Sequence, residues 1–319
     1  MPFAGLSHDR PLPSGVDGWF LPGYKKGMSY AMINGITIAY DCIGTSTGEP
    51  LLLASGLGVQ MIRWKDDFCA LLAAQGFRVI RFDNRDAGLS THLDDAPPPD
   101  MAALMAGQRI AVPYTLYDMA NDALGLLDHL GIARAHVAGR SMGGMIAQIL
   151  AAVHPGRIAS LTSIMSSTGN PELPPGQAGM AALMRPPPDP RLDRPGYFDH
   201  AVAVARAIGS RAPLFDEAAA RAQAKAELDR AYNPGGFARQ IAAIAAAGDR
   251  RPLLRTITAP TLVIHGTDDP LVPPECGRDT AANIPGARLM LIDGMGHDLP
   301  PALHQPVAAA ITRAAGHPR

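Results

Sequence analysis

The stretch Gly139-Arg140-Ser141-Met142-Gly143 constrains the fold more than any other part of the chain. Ala135-His136-Val137-Ala138 precedes it, a short apolar run that reads as a buried strand. Gly144 to Val153 follows, with helical spacing and helix-forming residues. A strand, a Gly-x-Ser-x-Gly turn and a helix in that order form the context that a nucleophile elbow requires. The turn is so tight that side chains two residues either side of the serine would collide with their neighbours. Glycine at Gly139 and Gly143 removes the Cβ and accepts the unusual backbone angles. The Ser141 hydroxyl is then expected at the tip of the turn, beside the positive end of the new helix.

At 319 residues, 47% of them hydrophobic, the chain has room for one large α/β domain carrying an insertion. A net charge of −1 and the absence of a long basic run give no reason to expect nucleic acid or an anionic membrane as partner. Cys42, Cys69 and Cys276 are widely separated, which argues against a disulfide framework or a zinc site. Residues 1–28, with Pro2, Pro11, Pro13 and Pro22, read as an extended N-terminal arm without a secretory signal. No apolar stretch reaches the about 18 residues of a membrane helix, so the expectation is a soluble, cytoplasmic protein.

Along the chain, Ser29 to Asp41 alternates around Asn34-Gly35, a strong hairpin signal. Leu51 to Ala54 is a buried strand followed by the turn Ser55-Gly56-Leu57-Gly58. Met61 to Gln75 reads as an amphipathic helix, Arg78 to Phe82 as a strand, and Tyr114 to Leu130 as a helix stopped by Gly131. Further strands are expected at Ile158 to Ile164, Thr261 to His265 and Arg288 to Ile292. Strands alternating with helices predict an α/β fold: a mostly parallel twisted sheet with helices on both faces. From 169 to 251 the rhythm breaks. Prolines cluster there, and helical segments are expected near 201–208, 215–232 and 237–247, with no strand. This reads as a helical cap over the strands' C-terminal edge, where open α/β sheets place their ligands. The core is then 29–168 and 252–319.

A serine hydroxyl is protonated at neutral pH, so it needs a base, and the base needs an acceptor to fix its tautomer. Two carboxylates, Asp268 and Asp269, follow the strand at 261–265, on the same edge as the elbow. His297, in Gly294-Met295-Gly296-His297, follows the last strand in the same way. Of the ten histidines it alone has a loop position that reaches across to Ser141; His265 ends a core strand, His154 ends a helix, and His304 lies in the C-terminal segment. The backbone N–H of Met142, directly after the serine, is placed to receive an oxyanion. Asp83, Arg85 and Ser90 read as braces of the sheet edge, and Trp64 as a helix-buried tryptophan.

These motifs, from about residue 31 to the C-terminus, resemble the α/β-hydrolase fold superfamily. The likeness rests on Ser55-Gly56-Leu57-Gly58, Asp83-Asn84-Arg85-Asp86-Ala87-Gly88-Leu89-Ser90, Gly139 to Gly144, Gly266 to Pro273 and Gly294 to His297. Within the superfamily the chain is most similar to aclacinomycin methylesterase-type carboxylesterases, through Asp83 to Asp86, Val112-Pro113-Tyr114 with Asp118-Met119-Ala120, and Gly294 to His297 with Leu299-Pro300. The resemblance implies a serine hydrolase whose acid is the fourth residue of the Gly-x-x-Asp turn, Asp269, with Asp268 an exposed turn carboxylate. It also implies that the second oxyanion donor is the Leu57 N–H. Many members carry His-Gly where this chain has Ser55-Gly56, which leaves open what fixes that loop.

The expected activity is hydrolysis of a small-molecule carboxylic ester by Ser141, His297 and Asp269 through an acyl-enzyme, with Leu57 and Met142 as oxyanion donors and no metal or cofactor. Lactone or carbon–carbon bond hydrolysis, acyl transfer and perhydrolysis use the same triad, and a non-catalytic ligand receptor is the alternative of another class. Small and apolar residues in 169–251 suggest a neutral acyl or alcohol portion. The oligomeric state is not legible.

Overall fold

The computed structural model describes residues 27–174 and 176–316, so the arm expected over 1–28 lies outside the described residues but for its last two positions. Strands β1 (Ser29–Ile33) and β2 (Ile36–Ile43) form the hairpin that Asn34-Gly35 predicts. Asn34 and Gly35 have φ of +51° and +79°, the positive angles a tight two-residue hairpin demands. There follow β3 (Glu49–Ala54), α1 (Asp66–Ala74), β4 (Phe77–Phe82), α2 (Met101–Met105) and α3 (Leu116–His129). Next come β5 (Ala135–Arg140), α4 (Met142–Val153) and β6 (Ile158–Ile164). Five helices separate β6 from the next strand: α5 (Gln177–Leu183), α6 (Arg194–Ile208), α7 (Glu217–Arg230), α8 (Pro234–Ala247) and α9 (Arg251–Leu254). The chain closes with β7 (Thr261–Gly266), α10 (Pro274–Asn283), β8 (Arg288–Ile292) and α11 (His304–Ala314).

The eight strands of the described residues share one sheet in the order β1-β2-β4-β3-β5-β6-β7-β8. The pairs β1–β2 and β2–β4 are antiparallel, and every other pair is parallel. Both faces are apolar because both are covered by helices, as the strands' unbroken hydrophobic runs require. In β3, Leu52 and Ala54 pack toward α3 and α4, while Leu51 and Leu53 pack toward α1 and α11. Helix α3 begins two residues later than its periodicity suggests, because Thr115 and Asp118 close a capping box: Asp118 accepts from the Thr115 N–H at 2.7 Å.

The single helix expected over Met61–Gln75 is instead a 3₁₀ turn, Met61–Arg63, followed by α1. The break has a side-chain cause. The Trp64 carbonyl accepts from the Arg81 guanidinium of β4, and Asp83 Oδ1 takes the Met61 N–H at 2.7 Å. Trp64 is therefore fully buried, stacked on Phe68 at 5.7 Å, but outside any helix. Asp83, Arg85 and Ser90 do brace the sheet edge: Ser90 Oγ donates to the Asp83 carbonyl at 2.6 Å and accepts the Ala39 N–H at 2.9 Å, while the Asp83 and Arg85 side chains pair with other elements. Arg85 pairs with Asp122 of α3 at 2.6 and 2.7 Å, and Asp83 with Arg230 of α7 at 2.7 Å.

The segment between β6 and β7 is tied to the sheet by three buried or half-buried ion pairs: Arg63–Glu227, Asp83–Arg230 and Asp86–Arg239. In the last, Arg239 forks onto both oxygens of Asp86 at 2.8 and 2.7 Å. Both residues are almost inaccessible, so Arg239→Met would strand a buried carboxylate. It is expected to cost about 3–5 kcal/mol, read from urea unfolding midpoints. Burial alone would raise the Asp86 carboxyl, but the Arg239 and Leu93 hydrogen bonds outweigh it and hold it below the usual value. With the folded value depressed, the Asp86 contribution is complete at neutral pH. It disappears as pH falls through the acid range, and the Arg239→Met penalty shrinks with it.

Candidate active site

Ser141 stands between β5 and α4 with φ +55° and ψ −123°, a strained backbone for any residue with a Cβ. Neighbouring backbone holds it there. Its N–H donates to the Ile164 carbonyl at 2.9 Å, and its carbonyl accepts from Ser166 Oγ at 2.8 Å. The glycines on either side are there for space. A Cβ on Gly139 would lie 2.0 Å from the Gly143 carbonyl oxygen, and one on Gly143 would lie 2.2 Å from the Ala54 carbonyl oxygen. The first turn of α4 thus rests directly on the end of β3. The loop after β3 and the start of α4 come to lie side by side.

Asp269 follows β7, and its side chain is buried. Its Oδ1 accepts the N–H groups of Leu271 and Val272 at 2.9 and 2.8 Å, which fixes the carboxylate plane. Its Oδ2 lies 2.7 Å from His297 Nδ1. A carboxylate only accepts, so Nδ1 carries the proton and Nε2 is left with a lone pair. That lone pair faces Ser141 Oγ at 2.9 Å. Asp268 points elsewhere: it is exposed, and its carboxylate accepts from the Thr267 hydroxyl at 3.1 Å. His265 is buried at the end of β7, and burial holds its imidazole below the ordinary histidine value. It donates Nε2–H to the Val272 carbonyl at 2.8 Å and so remains a neutral support of the Asp269 loop.

Met142 is the first residue of α4, and its N–H has no intrahelical acceptor. The other expected donor, Leu57, lies in the loop that faces Ser141: a Cβ on Gly56 would stand 3.4 Å from Ser141 Cβ. Side chains remote in sequence fix this loop. Asn84 Nδ2 donates to the Ser55 carbonyl at 3.0 Å, and the Gly58 N–H donates to Gln240 Oε1 at 2.7 Å. Gln240, on α8, is fully buried and donates its amide in turn to the Arg85 carbonyl at 2.8 Å. Asn84 and the helical segment's Gln240 thus hold the loop in which this chain has Ser55-Gly56 for the His-Gly pattern. Asn84 belongs to a quoted motif, but nothing in the Ala-rich sequence of α8 marks Gln240.

The loop carrying His297 is also held by that segment. The His297 N–H donates to the Ile208 carbonyl at 2.7 Å, and the Gly296 N–H to Ser210 Oγ at 2.9 Å. Asp298 Oδ1 accepts both the N–H and the hydroxyl of Ser210, at 2.8 and 2.5 Å. A Cβ on Gly296 would lie 2.3 Å from the Gly209 carbonyl carbon, so only glycine permits this contact. Sequence reasoning missed Ser210 and Asp298, because the contact joins residues 88 apart. Among the described residues no cluster of histidine, cysteine or carboxylate side chains is placed to hold a metal ion, and no helix is long and apolar enough to cross a membrane.

Known proteins match this chain in sequence and in fold. The alpha/beta hydrolase fold family matches residues 49–300. Rhodomycin D methylesterase DauP of Streptomyces sp. (strain C5) is 32% identical, over 88% of this chain and 96% of its own. Rhodomycin D methylesterase DnrP of Streptomyces peucetius is also 32% identical, over the same shares. Among solved structures, the enol-lactonase from Burkholderia xenovorans LB400 superposes with a TM-score of 0.67 at 28% identity, covering 90% of this chain and 98% of the other. The resemblance drawn from the motifs is borne out, including its leaning toward methylesterases. The fold that the strand–helix alternation predicts is present in full, and the chain belongs to the alpha/beta hydrolase fold family.

Proposed function

We propose that the chain hydrolyses a carboxylic ester, with Ser141 as nucleophile, His297 as general base and acid, and Asp269 as the group that orients and stabilises the imidazolium. The observation that carries this is the continuous path Asp269 Oδ2–His297 Nδ1, His297 Nε2–Ser141 Oγ, at 2.7 and 2.9 Å. Its distances are those of proton transfer without rearrangement. In this scheme Ser141 Oγ adds to the ester carbonyl while its proton passes to Nε2. The tetrahedral oxyanion is received by the N–H groups of Met142 and Leu57, each such donor being worth about 10²–10³ in rate. Nε2–H then protonates the departing alcohol. Water, activated by the same nitrogen, cleaves the acyl-enzyme to the acid. The methylesterase relatives support an ester as the substrate class. Residues 169–251, which carry helices α5 to α8, act as a cap over this site.

The test is turnover of short- and medium-chain p-nitrophenyl esters, together with fluorophosphonate modification of Ser141 read by mass spectrometry. Turnover with stoichiometric labelling of Ser141 is the expected result. Labelling without ester turnover would redirect the reading to lactone, carbon–carbon or acyl-transfer chemistry. Stoichiometric ligand binding with neither would make the chain a receptor.

The clamp on the histidine loop gives a further expectation. Ser210→Ala leaves the buried Gly296 N–H unsatisfied and loosens Asp298, so His297 loses its fixed distance to Ser141. Misplacement of this kind is expected to lower kcat roughly 10- to 100-fold with little change in KM. Ser210→Thr, which keeps the hydroxyl, should recover most of it. An equal loss in both variants, or a loss confined to KM, would assign Ser210 to packing alone.

A further inference from the structure

Arg140, between Gly139 and Ser141, takes no part in the scheme above. Its guanidinium lies over the Trp64 ring, 5.5 Å from the centroid, and its one hydrogen bond among the described residues is long, to the Arg63 carbonyl at 3.4 Å. A guanidinium has five N–H donors in a planar fork. Among the described residues no carboxylate lies within ion-pair distance of this one. The surroundings are short of negative charge. Arg63 is paired with Glu227 at 2.6 and 2.9 Å, Lys65 gives its ammonium to the neutral Gln223 side chain, and Asp298 is engaged by Ser210. Three cations, Arg63, Lys65 and Arg140, thus stand around Glu227, the one carboxylate among these that is ion-paired to any of them, with the charge of Asp298 acting on Arg63 and Arg140 from farther off.

The electrostatics follow that count. Burial, with the Arg63 charge adding to it, holds Arg140 down at about 10, and the same two causes lower Lys65. Arg63 is also penalised by burial, but its Glu227 partner more than offsets that and raises it. Arg140 is nonetheless partly accessible, and its chain neighbour is the residue that attacks the ester. A desolvated cation with spare donors at that position stabilises an anion strongly, because little water competes for it.

We infer that Arg140, with Lys65 and Arg63 beside it, receives a carboxylate on the ester that Ser141 attacks. The substrate class is then the half-ester of a dicarboxylic acid, with its free carboxylate remote from the scissile bond. This rests on the esterase reading above. It departs from the neutral substrate that the composition of 169–251 suggests, because Arg140 and Lys65 belong to β5 and to the turn before α1, outside that segment.

The experiment compares the p-nitrophenyl half-ester of glutaric acid with p-nitrophenyl pentanoate, which has the same chain length and no charge. The ratio of their kcat/KM values is expected to fall about 10- to 100-fold in Arg140→Gln, mainly through KM of the half-ester, the range for one charge-assisted contact. Arg140→Lys, which keeps the charge, should retain most of the ratio. A ratio unchanged in Arg140→Gln overturns the inference. If neither ester is hydrolysed, the esterase reading fails by itself, and the site is read from binding. Glutarate should then raise the melting temperature of the wild-type protein and not of Arg140→Gln. Absence of a shift in the wild type overturns the site as well.

Discussion

Ser141→Ala is expected to slow p-nitrophenyl ester turnover by about 10⁶-fold, the loss seen where such triads have been dissected. The reason is that no other group stands where Oγ stands. The hydroxyl lies 2.9 Å from His297 Nε2, and deleting it leaves the base with nothing to deprotonate but water. The fold should survive the change. The strained angles of Ser141 are imposed by backbone, through the Ile164 carbonyl and the contact of Gly143 with Ala54, and a methyl side chain meets the same angles as a hydroxymethyl one. Thermal unfolding within a few degrees of wild type, with loss of fluorophosphonate labelling, would complete the result. A residual rate above about one hundredth of wild type would mean that Ser141 is not the nucleophile, since the binding and oxyanion contributions left behind do not reach that level.

The sheet and the elbow were legible because their determinants are local. The β1–β2 hairpin is written in two adjacent residues, Asn34-Gly35, and the turn at Ser141 in five. That Asp269 and His297 lie beside Ser141 was legible because strand ends in an α/β fold meet at one edge, so loops after β7 and β8 approach the turn after β5. What could not be read is what depends on contact between distant segments. The helix expected from Met61 breaks because Arg81, on β4, captures the Trp64 carbonyl. Helix α6 begins at Arg194, seven residues before the Ala-rich run that suggested it, because Asp193 caps it and Pro195 suits its first turn. Gln240 and Ser210 are ordinary polar residues in sequence, and they matter only because α8 and the end of α6 land on the loops after β3 and β8. These two contacts bear on mechanism. The segment read as a helical cap supplies hydrogen bonds to both the loop after β3 and the loop carrying His297.

The pair Asp268 and Asp269 offers the sharper discrimination. Asp269→Asn is expected to lower kcat about 10⁴-fold, against a change of no more than a few-fold for Asp268→Asn. The two substitutions are chemically identical and adjacent, so only geometry separates them. In position 269 the carboxylate is locked by the Leu271 and Val272 N–H groups on one oxygen and faces His297 Nδ1 with the other. An asparagine fitted to the same backbone donors keeps its carbonyl oxygen on Leu271 and Val272 and turns its NH₂ toward Nδ1. The imidazole must then accept at Nδ1 and carry its proton on Nε2, where it donates to Ser141 instead of receiving from it. The base is lost while the shape is kept. His265 offers no substitute, since its Nε2–H is committed to the Val272 carbonyl and burial keeps its ring neutral. At high pH the variant should recover part of its rate, as hydroxide takes over proton removal, whereas the wild-type rate should be level there. Asp268, exposed and bonded only to Thr267 through its side chain, has no route to the imidazole. Equal losses in the two variants would show that the charge of the turn matters and not the bond to His297, and the acid's assignment would then move from Asp269 to the pair.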